Sequence, residues 1–293
     1  MIEALTLVNL STNEEININM TNGEYWLGEA DLGQTESDIH TFKYINQIGE
    51  SVYNTSIEPR SISIQGWIAG WDENKVKQQK IKLNHFINPK QTIRLIANDY
   101  SIEFYPETSV VYSPTYEDNN NLICKFLISG FCPYPLFTDK DEHFVSVAYT
   151  KKLFHFPLII PKDEGIMFGI RQPSLIAEVD NNGDFDIGYI IEFRAHGKVV
   201  NPILTDIGSQ EFIEITKTLN NGETVIVDTR EGQRRIRGVL NNTESNYFKY
   251  RSLDSSWLSL AVGTNYLRYN AEEGITNLEV YIRFNPGYLE IDQ

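Results

Sequence analysis

The side chains that most often carry catalysis are scattered along this chain. Cys124 and Cys132 lie eight positions apart without histidine partners, which is a weak pattern for zinc. Gly208-Ser209 lacks the second glycine of a G-x-S-x-G nucleophile turn, and neither H-E-x-x-H nor G-x-x-x-x-G-K occurs. We therefore predict no catalytic residue, no metal, no cofactor and no enzymatic activity. The five histidines also lack ligand spacing: His40, His85, His143, His155 and His196.

One acidic segment has a superficial likeness to a calcium-binding loop. Residues 180–186 place Asp and Asn at alternate positions, as oxygen ligands of a hard cation would be. However, Phe185 stands where such a loop needs glycine, and Ile191 stands where it needs glutamate. A polar turn between two strands is the interpretation we favour, since Asn, Asp and Gly are turn residues for conformational reasons.

Two carboxylate pairs and the tryptophans raise a question of sugar chemistry. Asp184 with Asp186, or Glu214 with Glu223, could serve a glycosidase if the two groups lay about 5 to 10 Å apart. Sequence spacing does not give that separation, and a chain with 40 acidic residues produces such pairs by chance. The tryptophans could form a sugar-stacking platform, although aromatic residues at strand spacing are more often core. They are Trp26, Trp67, Trp71 and Trp257.

The composition is that of a globular chain with an acidic bias. Of 293 residues, 41% are hydrophobic and 22% charged, and 40 acidic against 25 basic side chains give a formal charge of -15. Such a chain does not gain the counterion release that holds proteins on nucleic acid, so binding through phosphates is not expected. Aromatic residues make up 12% of the chain and favour strands, so we expect mostly β structure.

Cysteine use and the first residues favour folding in a reducing cytoplasm. Two cysteines are too few to staple a domain. No basic residue precedes Lys43, so the first residues lack the basic region of a signal peptide. No apolar run approaches the roughly 18 residues of a membrane span, so we expect no membrane partner.

The first residues predict strands. Strands are indicated at residues 2–10 and around Ile16 and Ile18, which alternate with Asn. Asn22-Gly23 favours a tight hairpin. A β-hairpin is therefore expected to open the chain. Residues 60–67 have the period of a strand with one wet side, and Gly66 is expected to mark a bulge or bend.

One helix is predicted over residues 73–87. Asp72 is its cap, Val76, Leu83 and Ile87 keep helical spacing, and Asn88-Pro89 supplies the stop. Four lysines are interpreted as a solvated face rather than a nucleic-acid site: Lys75, Lys77, Lys80 and Lys82.

A domain boundary is predicted near Asp139. Strands are expected at 92–96, 101–105 and 122–128. The prolines at 133 and 135 have no backbone N–H to donate to a sheet, so the chain should leave the first domain there. The domains are then residues 1–139 and 140–293. The apolar run 154–160, before Pro161, is expected to form a connecting ribbon or an edge strand.

The second half predicts an all-β sandwich, with strands and turns in regular succession and no repeat of fixed period. Asn220-Asn-Gly222 is expected to turn the chain into a hairpin with the strand that begins at Thr224. The other strands are expected at 187–193, 213–216, 234–240, 257–260 and 278–284.

Short motifs occur in a definite order along the chain. Those of the second half include Asn182-Gly-Asp184, Ile190-Ile-Glu-Phe193, Asn201-Pro202, Phe212-Ile-Glu-Ile215, Leu253-Asp-Ser-Ser-Trp-Leu258 and Asn277-Leu-Glu-Val280. The set resembles the distal tail proteins of long-tailed bacteriophages and prophages. In the first half, Arg60, Ile62, Ile64 and Gly66, then a helix and the Pro133-Tyr-Pro-Leu-Phe137 exit, are similar to that family's ring-forming domain. Residues 156–161 and 165–169 are similar to its inter-domain segment.

This resemblance implies an all-β fold with one helix. The N-terminal domain would be a β-barrel-like ring-forming, or belt, domain, and the C-terminal domain a linker and a galectin-like β-sandwich. The implied function is that of a structural adaptor at the virion tail tip, made in the host bacterial cytoplasm. It would form a hexameric ring that joins the tail tube to the tail-tip or baseplate machinery. DNA would pass through its acidic channel without specific binding.

Several partners follow from the same resemblance, and other functions stay open. The partners are other copies of the chain, the tail tube protein, the tape-measure protein, and tail-tip, tail-associated lysin or receptor-binding proteins. The alternatives are a carbohydrate-binding module for host adhesion and, less favoured, a glycoside hydrolase. Trp67 and Trp71, which flank Gly70 before the helix, are candidates for a contact between subunits because aromatic residues are enriched in interface cores; burial within one subunit is the other interpretation.

Overall fold

The chain divides into two compact units, which are described one at a time. A computed structural model describes residues 2–114, 122–147, 150–152, 169–171 and 176–291. The first unit comprises residues 1–140 and 287–293, and the second comprises residues 141–286. The ribbon or edge strand predicted at 154–160 and most of the predicted inter-domain segment lie outside the described residues.

Strands and one α-helix build the described part of the first unit. Up to residue 139 these elements are β1 (Ala4–Asn9), β2 (Glu15–Asn19), β3 (Tyr25–Asp31), β4 (Ser37–Phe42), β5 (Ser51–Ile57), β6 (Arg60–Ala69), α1 (Glu73–Phe86), β7 (Ile93–Ala97), β8 (Tyr100–Pro106), β9 (Val111–Pro114), β10 (Ile123–Cys132) and β11 (Phe137–Asp139).

Seven of these strands close into a barrel. Their order is β8-β7-β1-β2-β3-β6-β10, and β10 pairs back to β8 at Gly130–Pro106 and Phe131–Tyr105. Inward side chains such as Leu5, Ile64 and Phe104 are fully buried and form one core. The barrel-like fold predicted for this domain is therefore confirmed.

The hairpin of β1 and β2 is confirmed, but the tight hairpin predicted at Asn22-Gly23 is wrong. Strands β1 and β2 are antiparallel, with Leu5 opposite Ile18. Gly23 does adopt a left-handed φ of +115°. However, β3 then runs parallel to β2, with Ile18 opposite Tyr25, and pairs antiparallel with β6. The Asn22-Gly23 turn thus connects two parallel neighbouring strands of the barrel and does not form a hairpin.

Gly66 lies opposite a register shift of the neighbouring strand and allows close packing there. The β6–β10 register runs unbroken through Gly66, whereas the β3–β6 register shifts between Leu27, which is opposite Gly66, and Glu29, which is opposite Gln65. The irregularity predicted at Gly66 is therefore present, with the extra residue on β3. A Cβ at Gly66 would lie 2.2 Å from the carbonyl oxygen of Trp26 and 2.6 Å from Cζ of Phe126. The glycine is needed because the neighbouring strand and ring occupy that space.

The helix forms where the sequence predicts it. The Asp72 carboxylate accepts a hydrogen bond from the backbone N–H of Lys75 at 2.7 Å, and Ile87 is the C-cap. Val76, Leu83 and Phe86 bury one face in the barrel's core cluster. Helical spacing and the Asp72 cap together account for this element.

The second unit consists of short strands and two single-turn 3-10 helices within its described part. Its elements are β12 (His143–Ser146), β13 (Thr150–Lys152), β14 (Gly169–Arg171), β15 (Ile176–Asn181), β16 (Ile187–Gly188), β17 (Ile190–Ala195), β18 (Val199–Asp206), β19 (Phe212–Glu214), β20 (Thr218–Leu219), β21 (Thr224–Asp228), β22 (Arg235–Leu240), β23 (Thr243–Asn246), β24 (Ser259–Leu260), β25 (Gly263–Glu273) and β26 (Leu278–Phe284), with 3-10 turns at Phe248–Tyr250 and Ile275–Asn277.

Two main sheets bury a common core, as expected of a sandwich. One has the order β12-β26-β17-β21-β22-β23, and the other has the order β15-β25-β18-β19 with β20 also paired to β18. Phe193, Val227 and Ile282 from the first sheet and Leu204 and Leu267 from the second are fully buried in one cluster. The predicted β-sandwich fold is confirmed.

Pairing in this unit departs from the sequence prediction at two places. The turn at Asn220–Gly222 leads from β20 in one sheet to β21 in the other, so the hairpin predicted there is wrong. The central strands β18 and β25 were not predicted. Strand β18 contains Pro202 and a left-handed Asn201 at φ +49°, and β25 places the polar Asn265 inward, so neither has a clean apolar alternation.

The chain returns to the first unit at its end. Strand β27 (Gly287–Tyr288) pairs with β11 of the barrel sheet, with Phe137 opposite Tyr288. Sequence analysis assigned residues 287–293 to the second domain, whereas the structure groups them with the first unit. The return was missed because a two-residue strand carries no alternation that a sequence pattern can show. Among the described residues, no helix is both long and apolar enough to cross a membrane.

Substituting Gly66 tests the close packing between β3 and β6. We expect Gly66→Ala to lower the stability of the first unit by about 1–3 kcal/mol, because the added Cβ must displace backbone. Urea unfolding followed by tryptophan fluorescence measures this. Gly208→Ala is the control, since its Cβ would meet nothing nearer than the Asp206 carboxylate at 3.4 Å. Equal midpoints for both variants and the unmodified protein would contradict the packing argument.

Candidate interface surfaces

A hairpin with exposed apolar side chains lies between β3 and β6 in the chain of the first unit. Strands β4 and β5 pair with each other and form a separate two-stranded sheet, which we call the hairpin arm (residues 37–57). Its tip residues Ile45 and Ile48 are 94% and 101% exposed. The other large apolar residues exposed on it are Ile39, Phe42, Tyr44, Val52 and Tyr53.

Aromatic contacts hold the hairpin arm together. His40 stacks on Tyr53 with ring centroids 5.8 Å apart, and Phe42 meets Tyr44 edge-on at 4.9 Å. The Thr41 hydroxyl also donates to the Glu50 carboxylate. An isolated two-stranded sheet is only marginally stable in water, so the arm depends on contacts at its base or with another protein.

Arg60 fixes the base of the arm. Its side chain is fully buried, and its guanidinium donates to the carbonyl oxygens of Leu32 and Gly33 at 3.4 Å each and to the Thr35 hydroxyl. The same group donates to the carbonyl oxygen of Leu289 at 2.5 Å. One buried cation therefore joins the residues before β4 to the residues after β27.

Further contacts complete this anchor. The Arg60 guanidinium lies 4.7 Å from the Phe137 ring centroid and 3.6 Å from the Glu290 carboxylate. Gly33 has a φ of +69°, and a Cβ there would lie 2.3 Å from the carbonyl oxygen of Ser61. Charge compensation and close backbone packing together hold the start of the arm in one position.

Trp67, one of the two predicted interface residues, lies in a surface row of the barrel. It is directly opposite Trp26 on β3 and Lys125 on β10. Trp67 and Trp26 are each 37% exposed, and the Trp67 ring occupies the space that a Cβ at Gly28 would take, at 2.7 Å. The absence of a side chain at Gly28 lets the indole lie across β3.

Trp71, the other predicted interface residue, is not part of that row of paired strands. It follows β6 and is 79% exposed. Lys75 lies over its ring at 5.3 Å and pairs with Glu24 at 2.6 Å. The hydrogen bond from Lys75 is the main reason why the pKa of Glu24 is lowered. Lys82 also pairs with Glu24, so two of the four helix lysines neutralise one carboxylate.

The calcium-like segment 180–186 is a turn held by its own polar groups. The Asn181 amide donates to the carbonyl oxygens of Phe185 at 2.8 Å and Leu260 at 3.1 Å. Asp180 accepts from the Thr264 hydroxyl, and Asp186 accepts from the backbone N–H of Val262. These bonds connect the turn to the segment around β24 and β25.

Glu223 is a structural carboxylate in a buried network. It accepts from Lys217 at 2.6 Å, the Tyr247 hydroxyl at 2.8 Å and the backbone N–H of Asn220 at 3.0 Å. Burial alone would raise its pKa, but these hydrogen bonds and the charge of Lys217 outweigh burial and hold the pKa of Glu223 below its usual value. Glu214, the other carboxylate of the pair considered for a glycosidase, lies on β19 and is not part of this network.

The remaining candidate residues are not gathered into a site. Cys124 and Cys132 are buried without a disulfide, and burial raises the pKa of the Cys132 thiol to about 12. His196 pairs with Glu279 and His143 stacks on Phe284. Within the described ranges, no group of three or more His, Cys, Asp and Glu side chains is arranged to hold a metal ion.

Two family models match the chain, one in each unit. A model described as a phage tail protein RIFT-related domain matches residues 28–132. A model described as a siphovirus-type tail component, C-terminal domain, matches residues 182–288. The first range covers most of the barrel and the second covers most of the sandwich.

The chain belongs to the siphovirus-type distal tail proteins. Membership shows that it is a structural component of the distal tail or baseplate of a phage. None of the curated proteins compared matches it.

Solved structures of phage proteins share this fold. The crystal structure of SPP1 Dit, described as a paradigm of the hub adsorption apparatus in phages infecting Gram-positive bacteria, has 12% identity and a TM-score of 0.64, with 97% of this chain and 98% of that chain covered. A chain of the phage P2 baseplate in its activated conformation with Ca has 13% identity and a TM-score of 0.58, with 98% of each chain covered. The same baseplate with Sr has 14% identity and a TM-score of 0.54, with 97% and 98% covered. At these identities the likeness concerns the fold of the distal tail protein.

Sequence analysis singled out Trp67 and Trp71 as interface candidates. It did not predict the hairpin arm or the Arg60 anchor. The signal for the arm was present in the density of apolar and aromatic residues between Phe42 and Tyr53 within a polar stretch. The role of Arg60 depends on contacts with Leu289 and Glu290, more than 200 residues away, which no local pattern encodes.

Replacing Arg60 tests whether it anchors the hairpin arm. We expect Arg60→Ala to cost about 3 kcal/mol, since it leaves buried carbonyl groups without a donor. Arm residues should also become more sensitive to limited proteolysis. Arg94→Ala removes an exposed pair with Glu103 in the same barrel and should cost under about 1 kcal/mol. Unchanged proteolysis of the arm in Arg60→Ala would refute the anchor.

The pH dependence of stability tests the Glu223 network. Because the folded-state pKa of Glu223 is lowered, its contribution is complete above the ordinary value of 4.5 and is lost as the pH falls through the folded-state pKa. We expect Glu223→Gln to be less stable at pH 7 and to lose less stability on acidification. Urea midpoints at neutral and acidic pH measure this, with Glu214→Gln as the control. Parallel pH curves for Glu223→Gln and the unmodified protein would contradict the assignment.

Proposed function

We propose that six copies of this chain form a ring at the distal end of a phage tail. The ring joins the tail tube to the tail-tip or baseplate machinery. Family membership supports a structural role at this place, and the exposed hairpin arm is the observation that carries the proposal of a ring. The first unit is proposed as the ring-forming domain.

The hairpin arm has the properties of a surface that another protein covers. Contiguous apolar patches of more than a few hundred Å² are rare on soluble monomers and usually mark interaction sites. Here seven large apolar side chains are exposed within 21 residues, and the tip residues Ile45 and Ile48 have almost no intramolecular contact. Water contact with these side chains is unfavourable, so their burial would favour association.

A neighbouring copy is the partner that best fits this arm. The arm leaves the barrel at one point and is anchored there by Arg60, so every copy presents it in the same way. A contact between the arm of one copy and a different surface of the next is heterologous, and such contacts close into rings when the rotation between copies allows it. We propose that the exposed row of Trp26 and Trp67, together with Trp71, contributes to the contact between subunits.

The acidic composition supports a channel that DNA passes without binding. A net charge of -15 provides no general attraction for phosphates, and an acidic lumen would repel them. We propose the tail tube and tape-measure proteins as neighbours on one side of the ring. Tail-tip, lysin or receptor-binding proteins would adjoin it on the other side.

Charges on the arm tip test the proposed ring. We expect Ile45→Glu with Ile48→Glu to prevent ring formation, because burying two carboxylates in an apolar contact is costly. Native mass spectrometry and negative-stain images, with the protein alone and with the tail tube protein, measure the assembly. The unmodified protein should give hexamers in at least one of these conditions.

The control places the same charge on another exposed apolar residue. Leu253 is 95% exposed in the second unit, and Leu253→Glu should assemble as the unmodified protein does. Only monomers of the unmodified protein at high concentration, with no binding to the tail tube protein, would overturn the ring. Hexamers of the Ile45→Glu, Ile48→Glu variant would remove the arm from its interface.

A further inference from the structure

A basic segment lies within the second unit of this acidic protein. Between residues 230 and 251 there are six Lys and Arg against two Glu, although the whole chain has 25 basic and 40 acidic side chains. Part of this segment lines an open groove of about 510 Å³, which we call the arginine groove. Its lining residues are Arg234, Arg235, Ile236, Arg237, Glu244, Ser245, Asn246 and Phe248.

One side of the arginine groove is a sheet edge. Strand β23 is the last strand of its six-stranded sheet among the described residues, and all four of its side chains are exposed. It pairs with β22 through the two-residue turn Asn241-Asn242, whose φ values are +50° and +60°. Such turns are flanked by a hydrogen-bonded pair, here Leu240 with Thr243.

The turn geometry decides which backbone groups face outward. Because hydrogen-bonded and non-hydrogen-bonded pairs alternate, Thr243 and Ser245 bond to β22, whereas the N–H and C=O groups of Glu244 and Asn246 point away from it. The hydrogen bond from Tyr247 N–H to the Ile236 carbonyl oxygen, at 2.9 Å, continues this alternation. The edge therefore offers donors and acceptors to one more strand.

Arginine side chains reach this edge from β22. Arg237 extends across the ladder to Glu244, with Nη1 3.2 Å from the carboxylate, and its Nε is buried without a hydrogen-bond partner among the described residues. Arg235 lies on the same face, 3.6 Å from Asp228, which is bonded more closely by Arg230 at 2.8 Å. Guanidinium groups bind carboxylates in a two-pronged geometry, so the face is suited to acidic side chains.

Aromatic side chains provide an apolar wall beside the arginines. Arg234 and Arg251 both lie over the Trp257 ring, at 5.8 and 5.1 Å from its centroid. Phe248 packs near Trp257 at 6.0 Å and is 49% exposed in the groove lining. Arg234 has no carboxylate partner among the described residues, so its charge is available to a ligand.

We propose that an extended acidic segment of another protein binds here by adding a strand to the edge of β23. Its backbone would pair with Glu244 and Asn246, its carboxylates would meet Arg235 and Arg237, and an apolar side chain would contact Phe248. Strand addition combines main-chain hydrogen bonds with side-chain pockets in this way. This surface belongs to the second unit and is separate from the proposed ring contact.

A peptide fits the groove better than a nucleic acid or a free phosphate does. A phosphodiester can accept from the outward N–H groups but has no donor for the outward carbonyl groups, whereas a peptide in strand register bonds to both. A long polyanion would also meet the overall charge of -15.

Two substitutions of Glu244 separate strand addition from simple attraction of anions. Glu244→Gln removes the charge and keeps the backbone N–H, whereas Glu244→Pro removes the charge and the outward N–H together. Simple attraction predicts that both variants bind an acidic ligand at least as tightly as the unmodified protein. Strand addition predicts that Glu244→Gln binds at least as tightly and Glu244→Pro more weakly, by about fivefold or more. Thr243 and Ser245 keep the β22–β23 ladder intact in both variants.

The probe is a short labelled peptide of alternating glutamate and valine, and fluorescence anisotropy measures its binding to the full chain. We expect Arg235→Gln with Arg237→Gln to weaken binding about tenfold or more. Arg268→Gln, which removes an exposed arginine from the other sheet, should leave binding unchanged. The same peptide with lysine in place of glutamate should not bind. Circular dichroism melting checks that each variant is folded.

Three results would overturn the proposal. The first is no binding of the acidic peptide at about millimolar concentration, a range in which even weak complexes are populated. The second is equal binding of the peptide by Glu244→Pro and Glu244→Gln. Equal binding of the original peptide and of one N-methylated at alternate residues counts in the same way, and this comparison does not depend on the folding of a variant. The third is tighter binding of tripolyphosphate or a single-stranded oligonucleotide, which would make the groove a general anion site.

Discussion

The buried guanidinium of Arg60 joins parts of the first unit that lie far apart in the chain. It bonds to the residues before the hairpin arm, to the segment after β27 and to the face of Phe137. A buried cation is costly unless it is compensated, and here backbone carbonyl groups and Glu290 compensate it. The position of the arm, and with it the proposed ring contact, depends on this compensation.

A free sheet edge and a separate two-stranded sheet are the places where we propose that this protein associates with others. The seven barrel strands bond to each other in a closed circle, so they offer no free edge, and their outer face contributes only side chains such as Trp26 and Trp67. The hairpin arm lies outside that circle. In the second unit, the sandwich leaves the β23 edge beside the arginine groove. The two proposed interaction surfaces are thus in different units and have different chemistry, one apolar and one basic.

The sequence predicted elements better than it predicted their partners. Asp72 and the spacing of Val76 and Leu83 correctly placed the helix. Gly23 and Gly222 both adopt left-handed φ values, as their turn motifs require, yet neither turn forms the predicted hairpin. Of the candidate surfaces, only Trp67 and Trp71 were singled out. The apolar residues of the arm are visible in the sequence, but the separation of β4 and β5 from the barrel sheet is not, and the arginine groove depends on the pairing of β22 with β23.

The sequence by itself determined the alternation of the strands, the start of the helix, the left-handed turns and the ordered motifs of the tail protein family. These features depend on backbone conformation and on residues close in the chain. Only the tertiary structure decided that β2 and β3 run parallel, that residues 287–291 return to Arg60 and that β23 remains an edge. The reason is that backbone hydrogen bonds are the same for any pair of strands, so burial of side chains across the whole unit selects the partners.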